Sequence, residues 1–270
     1  MMGAVILIRG GGDLATGVAA RLHRSGFGVL VTEVAQPLAI RRLVALAEAV
    51  YAGQVLIEDL HGRRVETLES GLQVIAQGEL PVLVDPDAEC RHVLQPLALI
   101  DGRMRKTPPE LGKQAAPLVI GLGPGFNAGL DCHAVIETNR GHHLGRVLWQ
   151  GHAEMDTGVP AEVAGKSSGR VLRAPASGVL KASVALGSLV RKGDTLAMVD
   201  GAPLKAVFDG VLRGLLHDGL EVAKGDKIGD LDPRLDPSYA REISDKSLAV
   251  GGGVLEALLS SPAVCAALRP

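Results

Sequence analysis

The chain repeats itself at an offset of 32 residues. Ala174-Pro-Ala-Ser-Gly178-Val-Leu180 and Gly187-Ser-Leu-Val190-Arg-Lys192-Gly193-Asp194-Thr-Leu196 recur as Ala206-Val-Phe-Asp-Gly210-Val-Leu212 and Gly219-Leu-Glu-Val222-Ala-Lys224-Gly225-Asp226-Lys-Ile228. The glycines, the valines and the Lys-Gly-Asp triplets coincide. Each half reads as a set of short strands with a Lys-Gly-Asp turn. Two related halves can close around one core, so that neither leaves a sheet edge exposed.

These repeats resemble the biotinyl/lipoyl-like barrel-sandwich hybrid, over Arg170 to Leu231, and we expect an all-β domain of that kind at 170–232. Carriers of this family present a lysine, flanked by methionine, on the hairpin between their halves. Here that hairpin reads Met198-Val-Asp-Gly-Ala-Pro-Leu-Lys205, without Met-Lys-Met and with Lys205 already in the next strand. No covalent biotin or lipoate is expected.

The N-terminal part has a different signature. Val5 to Ile8 is a short apolar run, followed by Arg9-Gly-Gly-Gly-Asp-Leu-Ala-Thr16 and a helix-like stretch from Gly17. Gly10, Gly12 and Ala15 fit G-x-G-x-x-G/A, in which the glycines permit a tight turn and close phosphate approach and the third position packs. A helix starting there offers N–H groups and a positive dipole end to an anion. A second strand, Gly28 to Val34, ends near Glu33, placed where an acid contacts a ribose hydroxyl.

The rest of the first half supports an α/β, Rossmann-like sheet with helices on its faces, at 1–165. Ala39 to Tyr51 has a helical period, and Gln54 to Glu58, Leu72 to Ala76, Pro81 to Val84, Ala98 to Asp101 and Pro117 to Gly121 read as strands. A C-terminal segment, 236–270, looks helical around Leu248 to Leu259 and is a candidate to return to the first domain.

Composition excludes several classes. Hydrophobic residues are 47% and charged residues 21% of the 270, enough for a sizeable core. Aromatic residues are 2% and the net charge is −2, which argues against nucleic-acid binding. Cys90, Cys132 and Cys265 are too scattered for a disulfide framework. No apolar run approaches the ~18 residues of a membrane span, and the start lacks a signal-peptide pattern, so a cytoplasmic protein without membrane partners is expected.

Taken together, Arg9 to Gly17, Thr32-Glu-Val-Ala-Gln-Pro37 with Ile40-Arg-Arg42, Glu48-Ala-Val-Tyr51, Gly121-Leu-Gly-Pro-Gly-Phe-Asn127, Val135-Ile-Glu-Thr-Asn-Arg-Gly-His142 and Ile243 to Gly253 resemble the selenium-dependent molybdenum hydroxylase system protein family. That family is related in part to xanthine dehydrogenase accessory factors. The resemblance implies maturation of a molybdenum hydroxylase, with the hydroxylase as partner and a nucleotide or molybdopterin-type cofactor as ligand. It assigns no catalytic residue.

Other constellations are weaker. Cys132, His133, His142, His143 and His152 do not have recognised metal-ligand spacing, and no metal site is expected. Glu137 to His142 gathers polar groups after an apolar run, with Arg140 suited to a phosphate or carboxylate. Gly165-Lys166-Ser167 is not a Walker loop, since Pro160 stands where glycine is required. No G-x-S-x-G elbow is present.

The expected ligand is thus a phosphorylated small molecule. Its candidate binding residues are Arg9, Gly10, Gly11, Gly12, Asp13, Thr16 and Glu33, with Gly121, Gly123, Gly125, Asn127, Asn139 and Arg140 around a second glycine loop. The alternatives are an NAD-dependent oxidoreductase, with a proton donor such as His142, and a docking scaffold with an empty turn.

Overall fold

Val5–Arg9 (β1) is buried along its whole length, as a strand with neighbours on both sides and cover on both faces must be. The computed structural model describes residues 5–105, 107, 109–155 and 169–268. The chain is α/β and divides into two compact units: Met1–Pro37, Leu46–Thr157 and Ile243–Pro270 form the first, Leu38–Ala45 and Gly158–Glu242 the second.

In the first unit β1 is central to a mixed sheet with β2 (Gly28–Glu33), β3 (Gln54–Ile57), β4 (Leu60–Val65), β5 (Leu80–Val84), β6 (Ala98–Asp101), β7 (Val119–Leu122), β8 (Ala134–Ile136) and β9 (Val147–Leu148). The order is β3-β4-β5-β2-β1-β6-β7-β8-β9. The outer pairs β3–β4 and β8–β9 are antiparallel, and every pair between them is parallel. After β1 the chain lays β2 beside it, passes to the edge with β3 and β4, returns to place β5 between β4 and β2, then crosses to the other side of β1 with β6.

Alternation decides what each face carries. Leu7 is in register with Leu30 and Leu99, and two residues on, Arg9 is in register with Thr32 and Asp101. One face is therefore apolar through most of its depth and changes to a buried polar row at the carboxyl ends of the strands.

The helices are α1 (Asp13–Arg24), α2 (Ala49–Ala52), α3 (Leu68–Ala76), α4 (Arg91–Leu94), α5 (Asp245–Leu259) and α6 (Pro262–Leu268). Helix α3 places Leu68, Leu72 and Ile75 in the cluster formed by Leu7, Leu30 and Leu99. Helices α1 and α5 approach through glycine. A Cβ on Gly17 would lie 2.5 Å from the Ser247 carbonyl oxygen, and one on Gly251 would lie 2.6 Å from the Gly17 carbonyl oxygen.

Two local expectations are corrected here. Leu72 to Ala76 is the end of α3, not a strand, because Thr67 and Ser70 form a reciprocal capping box that starts a helix. Ala39 to Tyr51 is not one helix. It contains 3-10 turns at Arg42–Val44 and Leu46–Glu48 before α2. Its backbone is claimed elsewhere: Leu46 N–H donates to Thr16 Oγ1 and Ala47 N–H to the Gly11 carbonyl.

In the second unit β10 (Val171–Arg173), β11 (Gly178–Ala182), β12 (Leu189–Val190), β13 (Thr195–Val199), β14 (Ala202–Lys205), β15 (Gly210–Leu215), β16 (Glu221–Val222) and β17 (Lys227–Asp232) form two antiparallel sheets. Their orders are β10-β17-β15-β12 and β14-β13-β11-β16. Exchanging equivalent strands of the repeats turns one order into the other, and each sheet takes its short edge strand from the opposite half.

The Lys-Gly-Asp turns match in detail. Asp194 accepts from Arg191 N–H at 2.7 Å and Asp226 from Ala223 N–H at 2.9 Å. Gly193 and Gly225, at φ of +95° and +90°, donate to the carbonyls of Ala206 and Ala174. The common core includes Leu180, Leu196, Leu212 and Ile228.

Candidate functional site

The turn between β1 and α1 is built by three glycines with three different tasks. Gly10 has φ +92°, and its N–H donates to the Thr32 carbonyl at 2.7 Å. Gly11 donates to Glu33 Oε2 at 2.7 Å, and a Cβ there would lie 2.8 Å from Ala47 N. Gly12 is the N-cap of α1, and no atom lies within 4 Å of where its Cβ would stand. The helix start is therefore approachable at Gly12, with the positive end of the α1 dipole behind it.

The neighbouring residues fix the turn. Thr16 Oγ1 donates to the Gly12 carbonyl at 2.9 Å while accepting from Leu46 N–H at 2.9 Å. Asp13 Oδ1 accepts from Leu14 N–H at 3.0 Å. Ala15 leaves room for Gly102, whose Cβ would lie 2.8 Å from that of Ala15. Gly102 N–H donates to the Arg9 carbonyl at 2.9 Å, so the segment after β6 lies directly against the glycine turn.

Arg9 is 2% exposed. Its Nε and Nη2 donate to the Pro86 carbonyl at 2.9 and 2.7 Å, and Nη1 to Glu110 at 3.1 Å. Arg103 is held bidentately by Asp101 at 2.9 and 2.6 Å, and its Nη2 also reaches Glu110 at 2.9 Å. Arg105 is a third donor to Glu110.

Three guanidinium groups thus converge on one carboxylate. Burial pushes the Glu110 carboxyl up, but the hydrogen bond and charge of Arg103, with Arg105, outweigh it and hold it at about 2. Burial, then the like charge of Arg103, draws Arg9 below its usual value. Arg103, Arg105 and Glu110 escape sequence reasoning because nothing local marks their convergence. The available signal is a pair of alternate arginines directly after the acid that ends β6.

The second set of candidate residues is organised around protein atoms. A Cβ on Gly121 would lie 2.2 Å from the Phe126 ring, on Gly123 2.9 Å from Thr138 Oγ1, and on Gly125 2.2 Å from the Arg105 carbonyl oxygen. These glycines admit the chain itself. Asn127 N–H donates to Asp131 at 2.9 Å. Buried Glu137 accepts from Asn139 N–H and Glu154 N–H, both at 2.7 Å. Asn139 Nδ2 donates to Glu154, and Arg140 pairs bidentately with Asp245 at 2.7 and 2.8 Å.

Apart from the adjacent His142 and His143, whose rings meet edge to face at 5.3 Å, the histidines do not gather. His133 Nδ1 accepts from Val119 N–H, His143 pairs with Glu154, and His152 contacts the Phe126 carbonyl. Burial pushes the Cys132 thiol up to about 11, and its Sγ donates to the Ala134 carbonyl. Among the described residues no group of three or more His, Cys, Asp or Glu could hold a metal. Gly165-Lys166-Ser167 lie outside the described residues. Among the described residues no helix is long and apolar enough to cross a membrane.

Comparison with known proteins revises the family expectation. No family model matches the chain. It is 46% identical over 257 residues to the uncharacterized protein YqeB of Escherichia coli (strain K12), covering 94% of this chain and 47% of that protein. The chain spans about half the length of the curated relative it matches.

Similar solved structures include a succinylglutamate desuccinylase from Silicibacter sp. TM1040, at 14% identity and TM-score 0.25, covering 85% of this chain and 84% of that one. Another is a succinylglutamate desuccinylase/aspartoacylase from Rhodobacter sphaeroides, at 15% identity and TM-score 0.26, covering 85% of each chain. Likenesses this low transfer no activity to the present chain.

Neither the family models nor the curated relative found points to a molybdenum hydroxylase accessory protein. The expected membership of the selenium-dependent molybdenum hydroxylase system family is corrected accordingly, together with the maturation role drawn from it. The NAD-dependent oxidoreductase and docking-scaffold alternatives find no support either.

Proposed function

We propose that the first unit binds a phosphorylated small molecule at the carboxyl ends of β1 and β6. The observation that carries this reading is the contact of the glycine turn with the segment after β6: a Cβ on Gly10 would stand 2.9 Å from Arg103 Cγ. In open α/β sheets ligands bind where the strand order reverses, outside the carboxyl ends. The order β5-β2-β1-β6-β7-β8 is that of the doubly wound dinucleotide-binding sheet, which supports a Rossmann-like reading of this unit.

In this reading the open helix start at Gly12 faces the anionic group. Glu33 keeps lone pairs beyond those used by Gly11 and Val34, and these accept a ligand hydroxyl. The repeat symmetry of the second unit supports a barrel-sandwich hybrid. Its hairpin tip is Asp200-Gly201, and Lys205 is in register with Thr195, an arrangement suited to a rigid module without a covalent arm.

Titration of isotope-labelled protein with inorganic pyrophosphate tests the site. Amide shifts should centre on Gly11 to Leu14 and vanish in Gly12→Glu, with the thermal midpoint unchanged because the substituted side chain enters open space. The same shifts in Gly12→Glu would remove the site.

A further inference from the structure

We propose that Glu110 is a tethered stand-in for the ligand: its carboxylate fills the seat that a phosphate group takes among Arg9, Arg103 and Arg105, and the ligand enters by displacing it. This rests on the binding reading above.

The first observation is the mismatch of burial within the cluster. The Arg9 side chain is 3% exposed, whereas that of Glu110 is 51% exposed. A buried cation needs partners, and both carboxylates that Arg9 meets, Glu110 and the more exposed Asp87 at 3.3 Å, lie where solvent can reach them; of the two, Glu110 is the one that Arg103 and Arg105 also hold.

The second observation is that each arginine has an independent anchor. Arg9 is fixed on the Pro86 carbonyl, Arg103 on both oxygens of Asp101, and Arg105 on Thr107 Oγ1 at 2.7 Å. Removal of Glu110 therefore leaves three oriented guanidinium groups in place. Planar forks held this way suit the several oxygens of a phosphate better than the two of a carboxylate.

Charge points the same way. Among the described residues, Arg9, Arg103 and Arg105 are balanced by Asp87, Asp101 and Glu110. Without Glu110 the cluster has an excess positive charge, and Arg103 carries it to the edge of the glycine turn. The ligand class is a small molecule whose phosphate lies close to a second anionic or hydroxylated part that reaches the turn.

The test is calorimetric titration of the full chain with inorganic pyrophosphate at low salt. Glu110→Gln keeps the size and removes the charge, and it should bind about tenfold tighter than wild type, the scale of a lost competing ion pair. Arg105→Met in the Glu110→Gln background should reverse the gain. Glu79→Gln, which alters a remote pair with Arg63, should leave affinity unchanged.

Equal or weaker binding by Glu110→Gln, with Gly12→Glu still abolishing it, would overturn the stand-in role and keep the binding site. Absence of binding in both wild type and Glu110→Gln, with unaltered melting, would overturn both. If Glu110→Gln does not fold, Glu110→Asp replaces it, since a shorter side chain cannot reach all three arginines; unchanged affinity there would likewise overturn the proposal.

Discussion

Glu33, the last residue of β2, accepts the backbone N–H of Gly11 at 2.7 Å. Its other oxygen accepts Val34 N–H at 2.8 Å. The acid placed to meet a ligand thus also closes the turn from inside, and its two tasks separate by substitution. Glu33→Ala removes the acceptor from two backbone donors and should cost about 1–3 kcal/mol in urea unfolding. Glu33→Gln retains one acceptor oxygen and should cost less.

Neighbouring glycines of α5 should respond with opposite signs. A Cβ on Gly253 would lie 2.1 Å from the Gly145 carbonyl oxygen, whereas nothing lies within 4 Å of one on Gly252. Gly253→Ala should destabilise by at least ~1–3 kcal/mol, the cost of overpacking against backbone. Gly252→Ala should stabilise by ~0.5–1 kcal/mol through helix propensity. Thermal melts of the two variants check this directly.

His133 should make stability depend on mild acid. Burial, followed by the charge of Lys113, holds it below its ordinary value of 6.5, and its Nδ1 must stay unprotonated to accept Val119 N–H. Because the folded value is the lower one, this contribution is complete above 6.5 and is lost as pH falls through that value toward the folded one. His133→Gln should flatten urea midpoints across that window. An unaltered pH slope would assign the dependence to other groups.

Asp232 is fully buried, pairs with Arg213 at 3.2 Å and accepts from Arg234 at 2.9 and 2.6 Å. Removing a buried carboxylate takes a charge-assisted partner from both arginines. Asp232→Ala should therefore lower stability by roughly 1.5–3 kcal/mol. Asp236→Ala, which removes an exposed side-chain cap of the Ser238 N–H, should cost far less.

Legibility in the sequence followed the range of the interactions. The strand into Arg9, the glycine turn and the Lys-Gly-Asp turns carry their signal in adjacent residues and could be read directly, although distant carbonyls and Glu33 complete the turns. The segment at 39–51 could not, because Thr16 and Gly11 claim its N–H groups from far along the chain. At Leu72 the apolar pattern suits either element, and the capping box at Thr67 decides. The run Ile243 to Gly253 supplies part of the family resemblance, yet its glycines at 251 and 253 are explained by backbone pressed against Gly17 and Gly145. Convergence of Arg9, Arg103 and Arg105 on Glu110 is a tertiary fact with no periodicity to announce it.

The exchange of short edge strands in the second unit governs how that unit can come into being. Val171 is in register with Asp230, Gly178 with Val222, and Leu189 with Val211, so the first repeat to leave the ribosome lacks the partners of β10 and β12. Such distant pairings slow folding relative to local ones. Each repeat alone would leave strands of the other unpaired, so the two halves should unfold in a single transition.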